Sequence, residues 1–230
     1  MFTDPASGRP MKTWNVFVGC KHDCTYCSAR RTALTRLKHH LRYKNGFDPH
    51  LVPELLTRGF NPGEFVFVAY MGDISFATRE EFLRIRARIM EFPQTDFLIQ
   101  TRNPRQLFDW RADWGVTLPA HVYLGTTIET NRNPGFSKAP SAVERFRYLT
   151  GYPHNRKFLS IEPIMDFDFD TLISWVGMIQ PNIIEVGADN YHNHLPEPPW
   201  WKVEALLKRL RELCPAVVEK PGLERLRGLV

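Results

Sequence analysis

The sequence contains no run of about 18 apolar residues and no charged-then-apolar leader, so neither a membrane span nor a secretory signal is expected. A cytoplasmic protein is the resulting expectation. Low-complexity segments and short-period repeats are also missing, which argues against disordered arrays and solenoids. Cysteine is scarce: four in 230 residues are too few for a disulfide scaffold. Acidic residues number 25 against 30 basic ones, giving a net charge of +5 and a pI near 9.1, a mild bias toward an anionic partner. One stretch lacks acids altogether. "SARRTALTRLKHHLRYKNG" (28–46) carries Arg30, Arg31, Arg36, Lys38, Arg42 and Lys44, and reads either as a solvated helix face or as a strip for a nucleic-acid backbone.

What is present is enough for one core, with 43% hydrophobic and 13% aromatic residues. Short β-branched or aromatic runs alternate with longer amphipathic ones along the whole chain. The strand candidates are "TWNVFV" (13–18), "FVFVAY" (65–70), "FLIQT" (97–101), "HVYLGTTI" (121–128), "KFLSIE" (157–162) and "NIIEVG" (182–187), with "AVVE" (216–219) as a seventh at an edge. Helical patterns fall between them at 79–92, capped by Thr78, and at 104–110, 140–150, 169–179 and 199–213. Such alternation implies parallel strands covered by helices, in a partial barrel or an open doubly wound sheet. A 12-residue polar tail (1–12) and a single domain over 13–230 are expected.

In a parallel β/α fold the strand ends open on one face, where such folds place their sites. Here those ends carry Met71-Gly72-Asp73, Gln100-Thr101-Arg102, Thr127 and Glu129, Ser160 and Glu162, and Asp189-Asn190. The first run leads into "GCKHDCTYCSAR", with Cys20, Cys24 and Cys27 clustered and no fourth cysteine nearby. Thiolates suit zinc or iron–sulfur clusters. A structural zinc site wants four ligands, and only His22, inside the same small loop, is at hand to complete one. A four-iron cluster on three thiolates leaves one iron open, as a catalytic site needs. Cys214 lies far off and reads as an ordinary buried thiol.

Cys20-x3-Cys24-x2-Cys27, after a first strand and with Tyr26 before the last cysteine, resembles the signature of the radical S-adenosylmethionine superfamily. With "YKNGF" (43–47), "FLIQTRNP" (97–104), "FLSIEPI" (158–164) and "IIEVGADN" (183–190), the chain resembles a compact phage- and prokaryote-associated family within it, of unknown biochemical role. The resemblance spans about residues 13–190 and implies a partial (β/α)6 TIM-like barrel. It implies a 4Fe-4S cluster on Cys20, Cys24 and Cys27, S-adenosylmethionine on the open iron, a 5'-deoxyadenosyl radical that abstracts hydrogen, and a one-electron donor such as flavodoxin or ferredoxin. Tyr26 then matches the position near the adenine. Met71, Gly72 and Asp73 partly match a segment that contacts the methionine amino group, and Thr127 and Glu129 stand where ribose or methionine contacts are frequent. Glu162, Asp189 and Asn190 would form a rim nearer substrate, and Arg102 would pair with the cofactor carboxylate or an anionic substrate.

Two other readings stand beside this one. The cysteines with His22 and the basic segment also fit a zinc-binding nucleic-acid module. The carboxylate-rich strand ends with His192 and His194 fit a metal-dependent β/α hydrolase. The substrate expected from the basic segment is a nucleic acid.

Overall fold

The computed structural model describes residues 4, 5, 8 and 11–228. In chain order the elements are β1 (Lys12–Trp14), β2 (Phe17–Val18), α1 (Ser28–Leu34), β3 (His50–Leu51), β4 (Phe65–Val68), α2 (Arg79–Met90), β5 (Asp96–Gln100) and α3 (Pro104–Trp114). There follow β6 (Val122–Thr127), α4 (Ala142–Gly151), β7 (Lys157–Ile161), α5 (Phe169–Ile179), β8 (Ile183–Val186), α6 (Trp200–Leu213) and β9 (Ala216–Glu219), with short 3-10 turns between. Most of the expected tail, 1–12, lies outside the described residues; of its last two, Met11 is buried and Lys12 opens β1. Among the described residues no helix is long and apolar enough to cross a membrane.

Seven strands form one all-parallel sheet in the order β1-β4-β5-β6-β7-β8-β9. A doubly wound sheet reverses its strand order at a switch point. Here the order never reverses, so the sheet curls in one sense into a half-barrel, and "AVVE" is the seventh strand at its edge.

Two expectations need correction. "TWNVFV" is not one strand: β1 pairs with β4, whereas β2 leaves the main sheet for an antiparallel pair with β3. The break falls at Asn15, whose side-chain oxygen accepts the Met71 N–H at 3.0 Å where a backbone carbonyl would continue the ladder. The basic segment is α-helical only over α1, with a 3-10 turn at Leu41–Tyr43. The Thr35 hydroxyl bonds the Arg31 carbonyl at 2.7 Å, and no acidic residue stands at i+4 spacing from Arg36, Lys38 or Arg42.

Strand alternation sorts the core into two faces. Val66, Val68, Ile99, Leu124, Leu159, Ile161, Ile184 and Val186 join the helices in the main core. On the concave face Phe65, Phe67, Leu98, Phe158 and Ile183, with Met11, form an apolar plug. Gly125 leaves room for it, since a Cβ there would stand 3.1–3.2 Å from Leu98 and Phe158. One pleat further toward the strand ends the same face turns polar, with Gln100, Thr127, Ser160 and Glu185. The plug is thus the floor on which a site is built.

Phe158 is fully buried in that floor. Phe158→Ala should cost about 3–5 kcal/mol in urea unfolding. Met90→Ala, on an exposed helix position, should change stability by less than about 0.5 kcal/mol.

Candidate functional site

The cysteine loop starts where two glycines permit backbone to meet backbone. Gly19 has φ +85°, and a Cβ on it would fall 2.2 Å from the Asp48 carbonyl oxygen. A Cβ on Gly72 would fall 2.9 Å from the Val18 backbone. The contact is sealed by Gly19 N–H to the Met71 carbonyl (2.9 Å) and Asp73 N–H to the Gly19 carbonyl (3.1 Å). Met71 is buried against Val18, Ala33, Tyr43 and Val52.

Two later loops close over the cysteines. From the loop after β6, Phe136 accepts the Thr25 N–H (3.0 Å), Lys138 N–H donates to the His22 carbonyl (2.6 Å), and the Ser137 hydroxyl lies 3.1 Å from Cys24 Sγ. From the loop after β8, Leu195 packs on Cys24, Tyr26 and Met165. All three thiols are free. Cys20 Sγ accepts the His22 N–H at 3.4 Å, and Cys27 Sγ caps α1 by accepting the Arg30 N–H at 3.3 Å. Burial pushes the Cys20 thiol well up, and the charges of Asp73, Cys24 and Cys27 add to the effect. The three thiols stand on one short loop, at the space that the loops after β6 and β8 close over.

Two buried carboxylates hold the strand ends around that space. Asp73 Oδ1 accepts the Ser75 N–H (3.0 Å) and the Thr101 hydroxyl (2.6 Å); Oδ2 accepts the Arg102 N–H (2.8 Å) and lies 3.2 Å from His22 Nε2. Burial opposes its charge, yet His22, Thr101 and Arg102 hold its carboxyl below the usual range. Glu129 accepts from the Tyr26 hydroxyl, from Arg102 and from Arg145 (2.8 Å). Burial opposes this charge too, but the two guanidiniums hold its carboxyl far below the usual range. The Arg102 guanidinium also lies over the Tyr26 ring, 5.3 Å from its centroid. Tyr26, Arg102 and Glu129 are thus one buried unit, with Thr127 beside it through its carbonyl, which accepts from Arg145, while the Thr127 hydroxyl accepts from Gln100 Nε2 at 2.7 Å.

The remaining expected residues have other surroundings. Glu162 meets Lys220. Asp189 turns inward and takes the Asn193 N–H at 2.6 Å, while the Asn190 amide donates to the Pro221 carbonyl at 2.8 Å, so both shape the loop after β8. His192 and His194 are exposed. Among the described residues the only three metal-capable side chains with converging donor atoms are Cys20, His22 and Asp73, within 4.8 Å of one another. Sequence reasoning passed over Arg145, Glu185 and Lys220. Arg145 shares the buried stripe of α4 with Ala142 and Leu149, so a charge at an apolar-stripe position was its signal; Glu185 is likewise a charge inside the apolar strand "IIEV".

Glu129→Gln leaves Arg102 and Arg145 buried against a neutral amide and should cost about 3–5 kcal/mol in urea unfolding. Because the folded-state pKa is depressed, the Glu129 contribution is full above its ordinary value of 4.5 and is lost as pH falls below it. The acid decline in stability should accordingly be shallower in the variant than in the wild type.

The chain is similar to a spore photoproduct lyase variant solved with bound AdoMet and dinucleoside spore photoproduct, at TM-score 0.54 and 12% identity over 88% of this chain and 61% of that one. A second spore photoproduct lyase variant matches at TM-score 0.53 and 11% identity, over 90% of this chain and 75% of that one. The chain spans about three-fifths of the length of the first of these structures. The likeness is one of fold: the half-barrel is of the radical S-adenosylmethionine type, as the cysteine motif implied. None of the curated proteins matches the sequence. The profile of the family described as "Protein of unknown function (DUF5131)" matches residues 10–205, and the chain belongs to that family.

Proposed function

We propose that the protein is a radical S-adenosylmethionine enzyme acting on nucleic acid, with Cys20, Cys24 and Cys27 as ligands of a 4Fe-4S cluster. The observation that carries this reading is the donor set: three free thiols on one short loop, closed over by the loops after β6 and β8, at the strand ends of a half-barrel of this type. The set fits the group, because three thiolates leave one iron for the cofactor and two backbone N–H groups already point at sulfur. When bound, the cluster and S-adenosylmethionine supply a carbon-centred radical able to take a hydrogen atom from substrate.

The chain's own residues bind and orient. Arg102 and Arg145 balance the two buried carboxylates, Glu129 and Asp73, behind the cysteines, and Arg102 is the cation placed to meet a cofactor carboxylate. Tyr26, fixed by Glu129 and by the Arg102 guanidinium, is held for the adenine. Asp73 already accepts three hydrogen bonds beside His22, so its role is to hold the ends of β4 and β5 in place rather than to meet the cofactor ammonium. Thr127 and Gln100 offer polar atoms on the concave face.

The substrate class rests on two supports. A structure of like fold holds a dinucleoside spore photoproduct, and the basic segment divides into paired and exposed cations. Arg30 pairs with Asp23, Arg42 approaches Glu54, and Arg31 donates to Asn193. Arg36, Lys38 and Lys44 are exposed and have no acidic partner among the described residues.

One observation favours a second reading. Cys20, His22 and Asp73 offer converging donors for a single metal ion such as zinc. Anaerobic reconstitution with iron and sulfide separates the two readings. About four irons per chain are expected in the wild type and in Cys214→Ala, and loss of the cluster in each of Cys20→Ala, Cys24→Ala and Cys27→Ala. A colourless protein with one tight zinc that survives Cys24→Ala and Cys27→Ala would sink the cluster. For the substrate, three free cations predict that log affinity for duplex DNA falls with log salt at a slope of roughly −3, from about −0.9 per phosphate contact. Reversing Arg36, Lys38 and Lys44 should flatten it.

A further inference from the structure

A second group of charges lies on the concave face and is not used by the cofactor reading. Lys220, just after β9, is buried; its ammonium bonds Glu162 Oε2, at the end of β7, and lies 3.8 Å from Glu185 of β8. Glu162 is laid against Gly187, where an added Cβ would come within 2.8 Å of Oε1. Its side chain keeps 24% exposure, against 7% for Lys220 and none for Glu185. Among the described residues no donor meets Glu162 Oε1. A buried lysine and a glycine seat therefore fix one carboxylate and leave one of its oxygens available.

The surroundings define what that oxygen can meet. Tyr70 follows β4 and packs against the concave plug, the face on which Glu162 continues the alternation of Phe158 and Ser160, and Tyr191 follows β8 at the same strand ends; burial pushes the Tyr70 phenol up, and Tyr191, Glu162 and Cys27 act in the same direction. Tyr191 is 57% exposed, with the Arg31 guanidinium 5.4 Å from its ring centroid. Glu162 Oε1 is an acceptor, so a polyanion meets this point with an N–H edge rather than with a phosphate oxygen. Aromatic rings beside such an acceptor suit a stacked base.

We infer that Glu162, held by Lys220 and seated on Gly187, is the acceptor that orients an amino-bearing nucleobase beside the cysteine loop, with Tyr70 and Tyr191 as the aromatic rings at the same strand ends. The inference rests on the proposed nucleic-acid reading and names its base class. A carboxylate accepts from the cytosine amino group, whereas thymine presents a carbonyl at the same place.

The test compares binding of oligo-dC and oligo-dT of about eight nucleotides, in mildly alkaline buffer and on the full chain without cofactor. The wild type should bind oligo-dC about 10-fold more tightly. Glu162→Gln removes the charge, and Gly187→Ala displaces the carboxylate without changing any charge. Each should bring the two oligomers to within about 2-fold of each other through weaker oligo-dC binding. Absence of a preference in the wild type, its survival in both variants, or failure to bind either oligomer would overturn the assignment. Iron content and S-adenosylmethionine binding are read separately on the same proteins. A wild type that takes up iron and S-adenosylmethionine but shows no base preference removes this inference alone, whereas base preference without iron removes the cofactor reading and leaves Glu162 in place.

Discussion

Arg102 is bound at both ends, its backbone N–H to Asp73 and its guanidinium to Glu129. Asp73 in turn bonds the Thr101 hydroxyl and the Ser75 N–H and lies beside His22, while Glu129 bonds Tyr26 and Arg145. Five segments therefore meet through one residue: the cysteine loop, the ends of β4, β5 and β6, and α4. Charges in such a place have no water to relax against, so any rearrangement that separates them leaves an ion unpaired in a dry interior. That penalty lets short loops keep one geometry where the strands beneath them are only four to six residues long.

The strands and helices of the half-barrel were legible because their signals are local. Short, near-continuous apolar runs mark β4 to β8, as strands buried on both faces require, and Thr78 with Glu81 and Ser141 with Glu144 form capping boxes at helix starts. What escaped sequence reasoning depends on contacts distant along the chain. Nothing local in "TWNVFV" shows that Asn15 will take the Met71 N–H and end β1. Tyr26, Arg102 and Glu129 were each picked from a strand or loop end, but that they form one unit follows only from strand order, which brings residues 76 and 103 positions apart together. Asp73 and Glu129 were expected to face a ligand; the structure gives their oxygens to the protein's own donors.

The cation-rich segment shows the same limit. Six cations in 15 residues look uniform in sequence, yet Asp23, Glu54 and Asn193 take up three of them. Asp23 sits inside the cysteine loop and also meets Lys138 at 2.9 Å. Charge is thus divided between fastening the cysteine loop and facing solvent, a division that net charge alone does not reveal.

Among the described residues β1 and β9 do not pair, so the sheet keeps two free edges. A closed cylinder is entered only through its mouths, which restricts it to a chain end or a detached molecule. An open trough has no such topological rule: a long polymer can be laid in from the side at an internal position, with neither end ever passing through the protein.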